Sequence, residues 1–241
     1  MKALLLAAGL GTRLKPFTDH HPKALAPVNG HSLLEINIRN LQRFGIFDVV
    51  VNVHHFASQI VETLQKENGF GSRFQISDET DAVLETGGGL KKAAPFFETE
   101  NDFLVMNVDM LTNADIGKMI AQHQSQQALA TLAVQKRNSS RYFLFDEKMQ
   151  LKGWENVTTQ EQKPAEISGP TEQFAFSGIQ VLSQNVFSKI KREGKFSLVD
   201  VYLDLCNTET ITGYNHSGDL LLDVGKPESL TKAEALFKDI F

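Results

Sequence analysis

The stretch Lys2-Ala3-Leu4-Leu5-Leu6-Ala7-Ala8-Gly9-Leu10-Gly11-Thr12-Arg13 joins an aliphatic run to a loop of small residues. An aliphatic run without polar alternation describes a strand buried on both faces, as in a parallel sheet. The residues after it are small where a backbone must approach a ligand, and glycines there expose consecutive N–H groups that form an anion-binding nest. A Rossmann dinucleotide loop needs a third glycine at 14, where Leu14 stands, and a continuing helix, where Pro16 intervenes. A Walker A loop needs Gly-Lys-Ser/Thr, which is absent. Two readings stay open on the loop alone: a different phosphate loop, supplied with Arg13 and followed by Pro22-Lys23, or a simple tight turn.

Working outward, β-branched and aliphatic runs predict strands at 2–8, 48–53, 74–77, 102–108 and 129–134. Helical spacing predicts helices at 32–44, 58–66, 114–126, 185–191, 198–205 and 228–237, the first with Ser32 as N-cap, Glu35 three residues on and Gly45 past its end. Strand alternating with helix implies an open α/β sheet, mainly parallel and Rossmann-like, with helices on both faces. The strands at 2 and 102 should be central. From 136 the pattern changes to shorter strands at 142–145, 151–154 and 174–182, read as a small antiparallel insert covering one side of the sheet. The polar stretch 156–173 between them is expected to be the most mobile loop.

With 241 residues, 41% hydrophobic and 22% charged, the chain can bury a core without disulfides, which excludes disorder as its main description. Length favours a single domain, 1–241. Cys206 is the lone cysteine, which excludes an internal disulfide and fits a reducing, cytoplasmic setting. Apolar runs such as 3–8 are far shorter than the roughly 20 residues of a membrane span, so no membrane partner is expected. The first apolar run is read as a strand rather than a leader peptide. A net charge of −5 offers no basic face for nucleic acid. The cations are nevertheless concentrated, because residues 1–25 carry Lys2, Arg13, Lys15 and Lys23 against Asp19 alone. That local excess suits a small polyanion held in a cleft, where screening is weak. The sequence does not set the oligomeric state.

Several linked blocks resemble one family. They are Ala7-Ala8-Gly9-Leu10-Gly11-Thr12-Arg13-Leu14, Pro16-Phe17-Thr18, Pro22-Lys23-Ala24-Leu25, Glu85-Thr86-Gly87-Gly88-Gly89, Asn107-Val108-Asp109, Phe176-Ser177-Gly178 and Asp223-Val224-Gly225. In this order they are similar to the signature of sugar-1-phosphate nucleotidyltransferases, across nearly the whole chain. The short form most resembles members acting on N-acetylmuramate 1-phosphate with UTP, and short mannose-1-phosphate guanylyltransferase-like members. The resemblance implies a nucleoside triphosphate and a sugar 1-phosphate as substrates and Mg²⁺ as cofactor. It divides the chain into a nucleotide-binding half at 1–135, a sugar-binding half at 136–226 and a C-terminal helix at 227–241. Mannose 1-phosphate with GTP, phosphocholine with CTP, or an inactive nucleotide-binding regulator on the same scaffold are the competing expectations.

Asp109 ends the run Phe103-Leu104-Val105-Met106, which places it at a carboxyl strand edge, where open α/β sheets bind ligands. Asp223 ends Leu220-Leu221-Leu222. Two such carboxylates suit Mg²⁺, or each caps a following helix; the resemblance assigns both to the metal. It likewise implies that Ala7, Ala8, Gly9, Gly11 and Thr12 hold phosphates, Lys23 neutralises charge at the α-phosphate, and Arg13 binds the pyrophosphate leaving group. Glu85 and Gly87 are expected against the base, with Asn52 beside them or serving as a turn former. Glu155 and Gly178 are expected on the sugar side, where Tyr142-Phe143 departs from the family's usual Tyr-Gly. Lys226, near the Asp223 block, is a further candidate for the sugar phosphate. The pairs His20-His21 and His54-His55 do not converge on a zinc site, and Phe-Ser-Gly at 176–178 is not a hydrolase elbow.

Overall fold

The computed structural model describes residues 1–164 and 167–238. Strand and helix alternate through the first part: β1 (Lys2–Leu6), a short β2–β3 hairpin (Pro27–Val28 and His31–Ser32), α1 (Leu33–Gln42), β4 (Asp48–Val53), α2 (Ala57–Lys66), β5 (Arg73–Asp78), α3 (Glu85–Lys92), β6 (Asp102–Asn107), β7 (Met110–Thr112), α4 (Ile116–Gln126) and β8 (Ala130–Gln135). The remainder supplies β9 (Arg141–Phe145), β10 (Leu151–Asn156), β11 (Glu161–Lys163), β12 (Glu172–Ser183), α5 (Val186–Lys189), α6 (Leu198–Leu205), β13 (Ile211–Asn215), β14 (Leu221–Asp223) and α7 (Pro227–Leu236).

The main sheet is mixed, in the order β11-β10-β9-β12-β6-β1-β4-β5, with β8 pairing β12 and β13 pairing β8. Its parallel core is β6-β1-β4-β5, and β1 sits between β4 and β6 with Leu4 opposite both Val50 and Val105. The period of two along β1 sends Ala3 and Leu5 to one face and Leu4 to the other. Ala3 and Leu5 pack with Leu34 and Ile38 of α1, Ile60 of α2 and Met119 of α4. Leu4 packs with Leu90 of α3 and Leu198 and Tyr202 of α6. Helices thus cover both faces, as the alternation predicts.

The cap signals act as read. Ser32 Oγ accepts the Glu35 N–H at 3.1 Å and starts α1. Asp115 accepts the Lys118 N–H at 3.0 Å, so α4 begins two residues after the predicted start at 114.

Three expectations need correction. The insert does not cover one side of the sheet; it continues the sheet laterally, because β12 is 12 residues long and serves both parts. Glu172 to Phe174 pair with β9, Ile179 to Ser183 pair with β6, and the register breaks between Phe176 and Gln180 along β8. The stretch 156–173 contains β11, which pairs with β10 through backbone bonds although all three of its residues are exposed; a ladder of that kind leaves no hydrophobic pattern to read. Residues 165–166 of the stretch lie outside the described residues, as do 239–241 of the expected C-terminal segment. Finally, α3 begins at Glu85 and includes all three glycines, a run left out of the predicted helices. Tertiary bonds offset its poor propensity, since the Gly87 and Gly88 N–H groups both donate to Phe196 O, at 2.9 and 3.3 Å.

Candidate active site

The directions of β1, β4, β6 and β8 bring their carboxyl ends to one edge of the sheet. A cleft of about 310 Å³ opens there. Ala7, Ala8, Gly9, Gly11, Thr12, Arg13, Lys23, Asn52, Glu85 and Asp109 all line it.

The loop after β1 is held open by Asn52, at the end of β4. Its Oδ1 accepts the N–H groups of Ala7 at 2.6 Å and Ala8 at 3.2 Å, while its Nδ2 donates to Glu79 Oε1 at 2.8 Å. Asn52 is therefore a clamp on the loop and no turn former. Gly11 takes a φ of 63°, and Thr18 Oγ1 closes the loop by donating to Gly11 O at 2.9 Å.

Charge gathers at the other end of the cleft. The Lys23 ammonium pairs with the Asp109 carboxylate and lies 4.0 Å from Asp223 Oδ1, and Arg13 Nη2 lies 3.7 Å from Asp223 Oδ2. Strand β14 carries Asp223 to this position by pairing with β7, and the Val224 N–H donates to Asp109 O at 2.9 Å. Asp223 does not cap α7, whose N-cap is Lys226 without a side-chain bond. Two carboxylates at one crevice, the outer one half-exposed, match the donor set of Mg²⁺, which takes few protein ligands and completes its shell with phosphate oxygens and water. Among the described residues no cluster of three or more His, Cys, Asp or Glu side chains forms a metal cage.

Three expected residues lie apart. Gly87 does not line the cleft; it packs against the Phe196 ring, and a Cβ there would also stand 2.9 Å from Phe196 O. Glu155, on β10, borders a separate open hollow of about 600 Å³ with Lys136 and Gln173, and it accepts a hydrogen bond from Gln173 Nε2. Gly178 is at the break in β12 with a φ of 72°. A Cβ on it would stand 2.8 Å from Met110 Cγ and 3.0 Å from Asn107 Nδ2, so its bareness seats β12 against the wall of the cleft.

Glu79 and Val83 line the cleft without having been singled out, and Thr86, Asn107 and Val108, quoted only as parts of motif blocks and given no role, line it too. Glu79 is buried, its Oε2 has no partner among the described residues, and burial raises its pKa against the lowering effect of Asn52. Its flanks Asp78 and Thr80 are polar, which reads as a solvated turn; the usable signal was its place just past the end of a parallel strand.

The sequence profile of the nucleotidyl transferase family matches residues 2–239. The chain belongs to that family. An N-acetylmuramate alpha-1-phosphate uridylyltransferase of Neisseria meningitidis is 29% identical over 98% of both chains. A D-glycero-alpha-D-manno-heptose 1-phosphate guanylyltransferase of Campylobacter jejuni is 28% identical over 95% of this chain and 96% of its own length. A mannose-1-phosphate guanyltransferase of Yarrowia lipolytica is 27% identical over 98% of this chain and 64% of its own. Among solved structures, a UDP-glucose pyrophosphorylase from Acinetobacter baumannii superposes with a TM-score of 0.80 at 20% identity, over 98% of this chain and 92% of that one. HddC from Yersinia pseudotuberculosis does so at 0.78 and 22%, over 98% and 99%. These structures show the fold. As a nucleotidyl transferase the chain is an enzyme of the sugar-1-phosphate nucleotidyltransferase class. No helix among the described residues is long and apolar enough to cross a membrane.

Proposed function

We propose that the chain joins UTP to N-acetylmuramate 1-phosphate, giving the UDP-sugar and pyrophosphate. The observation that carries this reading is the meeting of Arg13, Lys23, Asp109 and Asp223 at one end of a cleft whose other end is the Asn52-clamped loop. The base and sugar follow the Neisseria meningitidis relative, which matches the chain over nearly its whole length.

In the reaction an oxygen of the sugar phosphate attacks the α-phosphorus in line. The new Pα–O bond forms as the bond to pyrophosphate breaks, and the electron pair leaves with pyrophosphate. The attacking phosphate is already anionic, so the protein contributes positioning and neutralisation of charge and needs no nucleophile of its own. Lys23 neutralises charge at the α-phosphate, and Arg13, a planar fork, takes oxygens of the leaving group. The N–H groups from Gly9 to Thr12 cradle phosphates, while Asn52 takes those of Ala7 and Ala8 and so fixes the start of the loop against the nucleotide. Glu85 borders the base, and Gly178 leaves room on the acceptor side. Asp109 and Asp223 would hold Mg²⁺, which when bound neutralises phosphate charge. In this reading residues 1–135 serve the nucleotide and 136–226 the acceptor within one domain, in the cytoplasm.

Guanylyl transfer to mannose or heptose 1-phosphate is the second reading, favoured by relatives of 27–28% identity over nearly all of this chain. The test is pyrophosphate release from four nucleoside triphosphates, each offered N-acetylmuramate, N-acetylglucosamine, mannose and heptose 1-phosphates and phosphocholine. UTP with N-acetylmuramate 1-phosphate should give the highest kcat/KM. Preference for GTP with a neutral sugar overturns the assignment, and tight nucleotide binding without pyrophosphate from any pair marks a regulator.

A further inference from the structure

Arg137 follows the carboxyl end of β8 and therefore stands at the same edge as the cleft, on the acceptor side of β6. Its guanidinium makes one hydrogen bond, Nη2 to Phe176 O at 2.8 Å, and no ion pair among the described residues. Phe176 opens the register break that contains Ser177 and Gly178, so the side chain is tied to the point where β12 leaves the β8 ladder. The side chain is exposed, yet crowding by protein lowers its pKa from the ordinary arginine value, with Asp223 and Tyr142 acting in the opposite sense.

The reaction itself already engages Arg13 and Lys23, which stand with Asp109 and Asp223. Arg137 is a separate positive fork whose remaining donors meet no acceptor among the described residues. Such a fork matches a carboxylate in a two-bond geometry.

We propose that Arg137 binds a carboxylate carried by the acceptor sugar and so selects acidic sugar 1-phosphates over neutral ones. The inference rests on the transferase reading and deepens it. N-acetylmuramate carries a lactyl carboxylate that N-acetylglucosamine lacks, and the two are otherwise the same sugar. The competing source of negative charge is the acceptor's own phosphate, common to every substrate of the class.

The experiment compares the wild type with Arg137→Met and Arg137→Lys on N-acetylmuramate 1-phosphate and N-acetylglucosamine 1-phosphate, each with UTP. Calorimetric binding of the two UDP-sugar products gives a readout independent of turnover. Arg137→Met should lower kcat/KM for the acidic sugar about ten- to hundredfold more than for the neutral one, the range of a hydrogen bond to a charged group. The change should fall mainly in KM, and product binding should lose the same discrimination. Arg137→Lys should keep part of it. Equal losses on both sugars assign Arg137 to the phosphate or to holding β12 and overturn the inference. A wild type that turns over neutral sugars alone also overturns it while leaving nucleotidyl transfer intact. An enzyme inert with every pair sinks the transfer reading instead, and product binding then decides the role of Arg137.

Discussion

Asp109 and Lys23 form an ion pair in which both side chains are largely withdrawn from water, at 21% and 11% exposure. Asp109→Asn should fold, with its near-UV circular dichroism retained. Turnover should fall about a hundredfold, equivalent to roughly 3 kcal/mol of transition-state stabilisation. Full activity in magnesium would show that the carboxylate does no chemistry. Glu79 gives a prediction of another kind. Burial raises its pKa above the ordinary carboxylate range, so the fold holds its proton more tightly than the unfolded chain does. Its contribution to stability is complete below the unfolded-state pKa and is lost as pH rises through the raised one. Glu79→Gln cannot ionise. The Tm of this variant minus that of the wild type, without ligand, should therefore grow from acid toward neutral pH, and a difference that is flat or shrinks over that window contradicts the burial account. At this scale the sequence is informative where motif and chemistry coincide, as for Arg13, Lys23, Asp109 and Asp223. It is silent on Glu79 and Arg137, whose roles come from what the fold places around them.

Helix α3 shows how an element can be built against its own propensity. Alanine is worth about 1 kcal/mol more than glycine in a free helix, which taken alone predicts that Gly88→Ala stabilises. A Cβ at 88 would overlap the carbonyl oxygen of Gly194, and backbone does not give way as a flexible side chain does. Overpacking of this kind costs about 1–3 kcal/mol. Gly88→Ala should therefore lower the Tm by several degrees; an unchanged or higher value would mean that the segment before α6 yields freely. The same contrast explains which elements were legible. Strands β1, β4 and β6 announce themselves because burial on both faces demands unbroken aliphatic runs. Strands β7, β11 and β14 are three residues each: β7 and β14 owe their existence to each other across a long stretch of chain, and β11 pairs with the preceding β10 while all its residues are exposed. The sugar-side expectation for Glu155 failed to join the cleft for the same reason, since no local pattern tells where β10 lies in the sheet.

Across the whole molecule, stability should be graded outward from the middle of the sheet. Strands β1 and β6 are paired on both edges and covered on both faces, whereas β5 and β11 each have one neighbour. Backbone amide exchange should be slowest in β1 and β6 and fastest in β11, approaching the global unfolding free energy only at the centre. Comparable protection in β11 would contradict this gradient. The alternation of strand and helix made the parallel core foreseeable, whereas the lateral extension was not, because it depends on the length of a single strand. That strand, β12, belongs to both the wing and the core, with its register break between Phe176 and Gln180 lying where they meet. Strand β8 pairs with β12 on both sides of that break and so splints the two sides of the molecule together across it. The distance spanned by a bound donor and acceptor is then preset by the sheet, like the gap of a fixed caliper, and a molecule of the wrong length must be refused or must displace loops.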